Sequence, residues 1–202
     1  RQSLFAGTKP DLTKDNRDEE KLFLKYWTDK NFQNYQIKFF KFGLNQSYKD
    51  IDGVSDSCEI MALVNNDLDN LMHGAVMGNK QLLDNTVQWI EKVGFIELIT
   101  KLKAKGFTCY ITSDHGSIEA NPLKNLTLSV KNLSTSRSKR HIQFAEEGLM
   151  QEFINSNKDY KLNYHEKSVF LCDDTAFVSN ENIITHGGSH LLELLIPLGV
   201  VS

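Results

Sequence analysis

The order of apolar and polar positions divides the chain into strand-sized and helix-sized pieces. Residues 16–30 place Leu22, Phe23, Tyr26 and Trp27 on one side of a helical repeat. Asp18, Glu19 and Glu20 fall in its first turn, where carboxylates suit the helix dipole. Residues 1–15, with the breakers Gly7 and Pro10, read as a loop. Residues 35–42 are rich in aromatics and isoleucine and read as a strand. Residues 59–64 form a short apolar run, the pattern of a buried parallel strand. The spacing of Leu83, Val87, Ile90, Leu98 and Leu102 predicts one long helix over 80–105, stopped by Gly106. Residues 107–112 read as the next buried strand. Strand, helix, strand in that order makes a right-handed βαβ unit if both strands share one sheet.

The second half is more broken. Residues 121–138 are polar, Ser134-Thr135-Ser136-Arg137 among them, and read as a long surface loop suited to a lid. Residues 140–144 fit a strand and 146–155 a helix, and 168–171 and 176–184 read as strands or edge pieces. His186-Gly187-Gly188 marks a turn, residues 189–193 open a short helical segment, and 194–201 are a last apolar run. There is no internal repeat, low-complexity tract or linker. The expectation is one α/β domain over 1–202, a mixed sheet flanked by helices.

Composition narrows the class. The 202 residues suffice for one α/β core, and the 40% hydrophobic and 24% charged content is globular. A net charge of −3 lacks the basic footprint of a general nucleic-acid binder. It leaves a phosphate substrate open, because bound cations would invert the local field. Cys58, Cys109 and Cys172 are far apart and form no C-x-x-C pair, which argues against a zinc ribbon and for reduced thiols of a cytoplasmic protein. No apolar run has the length of a membrane span.

Three clusters that follow predicted strands carry candidate chemistry. Asp69-x-x-x-His73 sets a carboxylate and an imidazole on one face of a helical turn, as a shared metal ion or an ordinary exposed face would have them. Ser113-Asp114-His115-Gly116 joins two polar groups directly to an apolar strand. They are either ligands or a turn that Asp114 caps. In His186-Gly187-Gly188-Ser189 the glycines allow close backbone approach, to a ligand or simply within a turn.

Taken in order, D-x-x-x-H, then S-D-H-G, then H-G-G-x-x-x-x-E ahead of an apolar strand resembles the alkaline phosphatase superfamily. The run from His186 to Val200, H-G-G-S-x-x-x-E-x-x-x-P-L-x-V, resembles the closing motif of the PglZ group within it. Arg1-Gln2-Ser3-Leu4-Phe5-Ala6-Gly7 resembles the stretch that follows that group's nucleophile. The resemblance implies an alkaline-phosphatase-like fold, here a partial domain. It makes Asp69, His73 and His186 ligands of one metal ion, and Asp114 and His115 ligands of a second. Zinc is the implied metal, two ions per complete site, with manganese tolerated by the same nitrogen and oxygen donors.

It further implies a phosphoesterase, acting on monoesters or diesters, nucleotides among them, by displacement from a Thr or Ser between two metals about 4 Å apart. That nucleophile and an early aspartate ligand are expected before Arg1, so the chain by itself is expected to be a poor catalyst. Arg137 and Arg140 are candidates to clamp the phosphate, and the same charges also fit a solvated run. His190 and Glu193 are candidates for an outer shell that orients a ligand histidine. A related phosphomutase or sulfatase is one competing reading. Another is a degenerate metal-binding effector or interaction module, joined to other domains, in bacterial signalling or phage defence.

Overall fold

A computed structural model of the chain describes residues 2–9, 18–42, 56–75, 77–123, 134–135, 139–178 and 181–202. These fall into two compact units. One comprises residues 1–69, 86–114 and 198–202, the other 70–85 and 115–197.

The first unit begins with a short helix, α1 (Gln2–Ala6), where the breakers predict a loop. Phe5 explains the difference: its ring packs edge-on against Phe23 and Phe39, so this segment has an apolar face to bury. Helix α2 (Glu19–Thr28) follows, then a single 3-10 turn at Asn34–Gln36, then β1 (Ile37–Phe42). Strand β2 (Ile60–Asn65) runs parallel to β1, with Ile37 opposite Ile60 and Phe42 opposite Asn65. Phe23, Ile37 and Ala62 form the core under α2. Helix α3 (Asp67–His73) starts directly after β2. Asp67 is buried there and accepts from the Trp89 indole at 3.1 Å.

The long helix predicted over 80–105 is two helices, α4 (Gly78–Val93) and α5 (Phe95–Ala104). Gly94 between them has φ +73°, a left-handed conformation that ends one helix and turns the chain into the next. Val93, Leu98 and Leu102 then reach Phe42 in one cluster. Strand β3 (Cys109–Thr112) pairs antiparallel with the last strand, β11 (Leu198–Val201), and not with β2. The expected βαβ pair in one ladder is therefore replaced by two separate two-stranded ladders.

The second unit holds β4 (Ile118–Pro122), β5 (Ser134–Thr135), β6 (His141–Gln143), helix α6 (Glu147–Ser156), β7 (Leu162–His165), β8 (Ser168–Leu171), β9 (Thr175–Ala176), β10 (Ile183–Thr185) and helix α7 (Leu191–Leu194). Strand β4 lies between β10, antiparallel, and β9, parallel. Strands β5, β6, β8 and β7 make an antiparallel sheet in that order. Ile142, Val169 and Leu171 of that sheet are fully buried against Met150 and Phe153 of α6. Of the loop predicted over 121–138, Asn121 and Pro122 belong to β4, and Ser134 and Thr135 to β5. The rest, except Leu123, lies outside the described residues, as does Arg137. Parallel and antiparallel strands with helices give the expected α/β class, divided among several small sheets.

Candidate metal centre

Three of the expected ligands belong to the second unit and meet there. His73 ends α3, and Met72 beside it is buried against Ala75 and Ile184. Ile184 is the middle residue of β10, and His186 follows that strand directly. The same packing therefore fixes both ends, and the rings of His73 and His186 stand 5.3 Å apart. His115 arrives from the other side. Strand β4 pairs antiparallel with β10, with Ile118 opposite Thr185, so the residues before Ile118 and after Thr185 leave the ladder at the same end. There His115 and His186 stack nearly parallel, with centroids 3.7 Å apart. Each offers a ring nitrogen within 4.8 Å of one on the other. Nδ1 of His115 lies 3.0 Å from the Gly116 carbonyl oxygen. A proton on Nδ1, donated to that carbonyl, leaves Nε2 as the unprotonated nitrogen of the ring.

All three imidazoles are half-buried, which suits ligands that must meet both an ion and a substrate. The ring nitrogens of His115 and His186 are donors of a borderline kind that fits zinc, and the His73 ring lies next to His186. His115, expected for a second ion, shares one cluster with His186, expected for the first.

A family model described as the BREX system PglZ alkaline phosphatase-like domain matches residues 1–201. The chain belongs to the PglZ family. No curated protein matches it.

Around the histidines, this PglZ chain uses its charged residues differently from the sequence reading. Arg140 is fully buried and is not a phosphate clamp. Its guanidinium donates to both oxygens of Glu193, at 3.0 and 2.7 Å, and to the carbonyls of Leu171, Asp173 and Thr175. With the donors spent on internal acceptors, it has no face for a substrate. Glu193 also accepts from the backbone N–H groups of Gly188, at 2.9 Å, and His190, at 3.1 Å. Burial pushes its carboxyl up. The Arg140 hydrogen bond and charge and the two backbone donors outweigh that and hold it below the usual carboxylate range. His190 is the N-cap of α7, and its Nδ1 accepts from the Leu192 N–H at 3.2 Å. Its ring is thereby used in the cap. Asp69 stands one helical turn before His73 on α3, and Asp114 is exposed next to His115.

The sequence does not reveal the partnership of Arg140 and Glu193, which are 53 residues apart. Half of it had a signal: His190-x-x-Glu193 has the spacing of a capping box, and the structure contains one. The thiols play no part among the histidines. Burial raises those of Cys58 and Cys109 above their ordinary value, and Cys172 accepts from the Ser189 hydroxyl at 3.2 Å.

Proposed function

We propose that this PglZ domain is a zinc-dependent phosphoesterase. The observation that carries the reading is the convergence of His73, His115 and His186, from three separated segments, in a chain of an alkaline-phosphatase-like family. Within the second unit, His73 and His186 would hold one ion, and His115 would contribute to a second. The family's place in BREX, a phage-defence system, supports a defence role; we further propose a cytoplasmic location and a phosphate ester, nucleotides among them, as the substrate. Among the described residues no helix is long and apolar enough to cross a membrane.

Zinc bound at these residues would supply Lewis-acid charge to a phosphoryl oxygen and to the attacking and leaving groups. The protein's own contribution is geometric. His73 is fixed at the end of α3 by Met72, and His186 by the pairing of β10 with β4. His115 presents Nε2 because its Nδ1 faces the Gly116 carbonyl.

The test is zinc loading followed by elemental analysis, together with binding of a non-hydrolysable aryl phosphonate by the zinc-loaded and metal-free protein. At least one zinc should be retained, and the phosphonate should bind only with zinc present. His186→Ala should lose both. A protein that retains no divalent metal would overturn the reading. Zinc retained without phosphonate binding would instead favour a metal-binding module without phosphoesterase chemistry.

A further inference from the structure

The turn that carries His186 is tied to a buried side-chain pair, Arg140 and Glu193, and the turn that carries His115 is tied to the backbone of Glu193. The Glu193 carboxylate receives the Gly188 N–H on Oε1 and the His190 N–H on Oε2. Its own backbone carbonyl receives the Gly116 N–H at 2.9 Å. One residue thus grips the residue after His115 and the second residue after His186. Arg140 holds that carboxylate from behind with two parallel hydrogen bonds, the most directional arrangement open to such a pair. Two further contacts close the grip on the second turn. Ser189 N–H donates to the Leu171 carbonyl at 2.9 Å, the same carbonyl that accepts from Arg140 at 3.2 Å. His141, next to Arg140, hydrogen-bonds the Gly187 backbone. Residues 187 to 190 are therefore each held at a backbone atom.

The glycines show how close this fit is. A Cβ on Gly188 would lie 2.6 Å from the Leu171 carbonyl oxygen and 2.7 Å from the Arg140 guanidinium. A Cβ on Gly116 would overlap the Leu192 carbonyl. Neither glycine can carry a side chain, Gly188 because of Leu171 and Arg140 and Gly116 because of the Leu192 and Leu195 carbonyls.

A buried ion pair is weak evidence for stability, because an apolar pair of similar volume often folds as well. What an apolar pair cannot do is accept the Gly188 and His190 N–H groups. We propose that Arg140 and Glu193 are positioning residues for the metal centre: they set the distance between His115 and His186 before any ion arrives. The proposal rests on the zinc reading, and its consequence is a preorganised site. Outer-shell groups that orient histidine ligands typically govern about 10–100-fold in metal affinity.

The experiment compares the intact chain with the double variant Arg140→Met, Glu193→Leu, which removes both charges and both acceptors while keeping the volume. Zinc affinity is measured by competition with a chromophoric chelator. Cobalt(II) is substituted so that its visible absorption reports ligand geometry. Thermal unfolding of the metal-free proteins is followed alongside. The double variant should unfold within a few degrees of the parent, yet bind zinc about 10–100-fold more weakly, with an altered cobalt spectrum. Unchanged affinity and spectrum in a folded variant would overturn the proposal while leaving the zinc reading intact.

Amide hydrogen exchange in the unmodified, metal-free protein decides the matter where the variant does not fold or the parent binds no zinc. Protected Gly188 and His190 amides, the two that the Glu193 carboxylate accepts, support the preset geometry. Amides there that exchange as fast as a free chain overturn it. A parent that binds no zinc overturns the phosphoesterase reading instead, so the two failures are distinguishable.

Discussion

His141 illustrates how a residue with no candidate role in the sequence acquires one from its neighbours. It stacks on Phe170 at 5.5 Å and touches the Gly187 backbone. Burial pushes its imidazole below the ordinary value, and the hydrogen bond to Gly187 recovers part of that. The unfolded chain, near the usual value of about 6.5, therefore takes up a proton first as pH falls. The stabilisation is complete above about pH 6.5 and is lost as pH drops through the lower, folded value. In the metal-free protein the thermal midpoint should fall more between about pH 7 and 5 than in His141→Gln. Parallel pH profiles for the two proteins would refute this. At this scale the sequence exposes ligand types but not their partners. His73, His115 and His186 stand out because histidine beside aspartate or glycine after a strand is distinctive. Arg140 does not, since a charge in the run Ser138-Lys139-Arg140 looks the same whether it faces water or is fully buried.

At the level of elements, periodicity carries most of the information and glycine corrects it. Strands β2 and β8 and helix α6 fall within a residue or so of their predicted bounds, because each has an apolar pattern that matches one period. The predicted 80–105 helix misses its break because Leu83, Val87, Ile90, Leu98 and Leu102 keep a helical repeat across Gly94. A lone glycine inside such a pattern is normally tolerated. Its φ of +73° identifies it as the joint. A residue with a Cβ pays roughly 1–2 kcal/mol in that conformation. Gly94→Ala should therefore lower unfolding free energy by roughly that amount in urea titration, with helix content by circular dichroism retained. A neutral or stabilised variant would show that α4 and α5 can merge without cost. The ladder partners were the least legible feature. That β3 pairs with β11, about ninety residues later, follows from register and packing that no local pattern encodes.

For the whole molecule, the distribution of the histidines between the two units yields a further consequence. His73, His115 and His186 all belong to the unit comprising residues 70–85 and 115–197. An ion that binds the folded state alone stabilises it by mass action, about 2.7 kcal/mol at a hundred times its dissociation constant. That stabilisation acts first on the openings that separate the ligands. Those openings are the parting of β10 from β4, the release of the α3 end from Ile184, and the loosening of the Gly116 and Gly188 turns. The buried sheet of Ile142, Val169 and Leu171 has its own packing against Met150 and Phe153 and does not need the ion. Zinc should therefore slow amide exchange most at β4, β10 and the turns after them. It should act less on β6 and β8, and least on β1 and β2, which form a separate core with Phe23. Exchange followed by mass spectrometry with and without zinc measures this directly. If protection instead rose mainly in β1 and β2, the ion would be bound elsewhere, and the three histidines would not be its ligands.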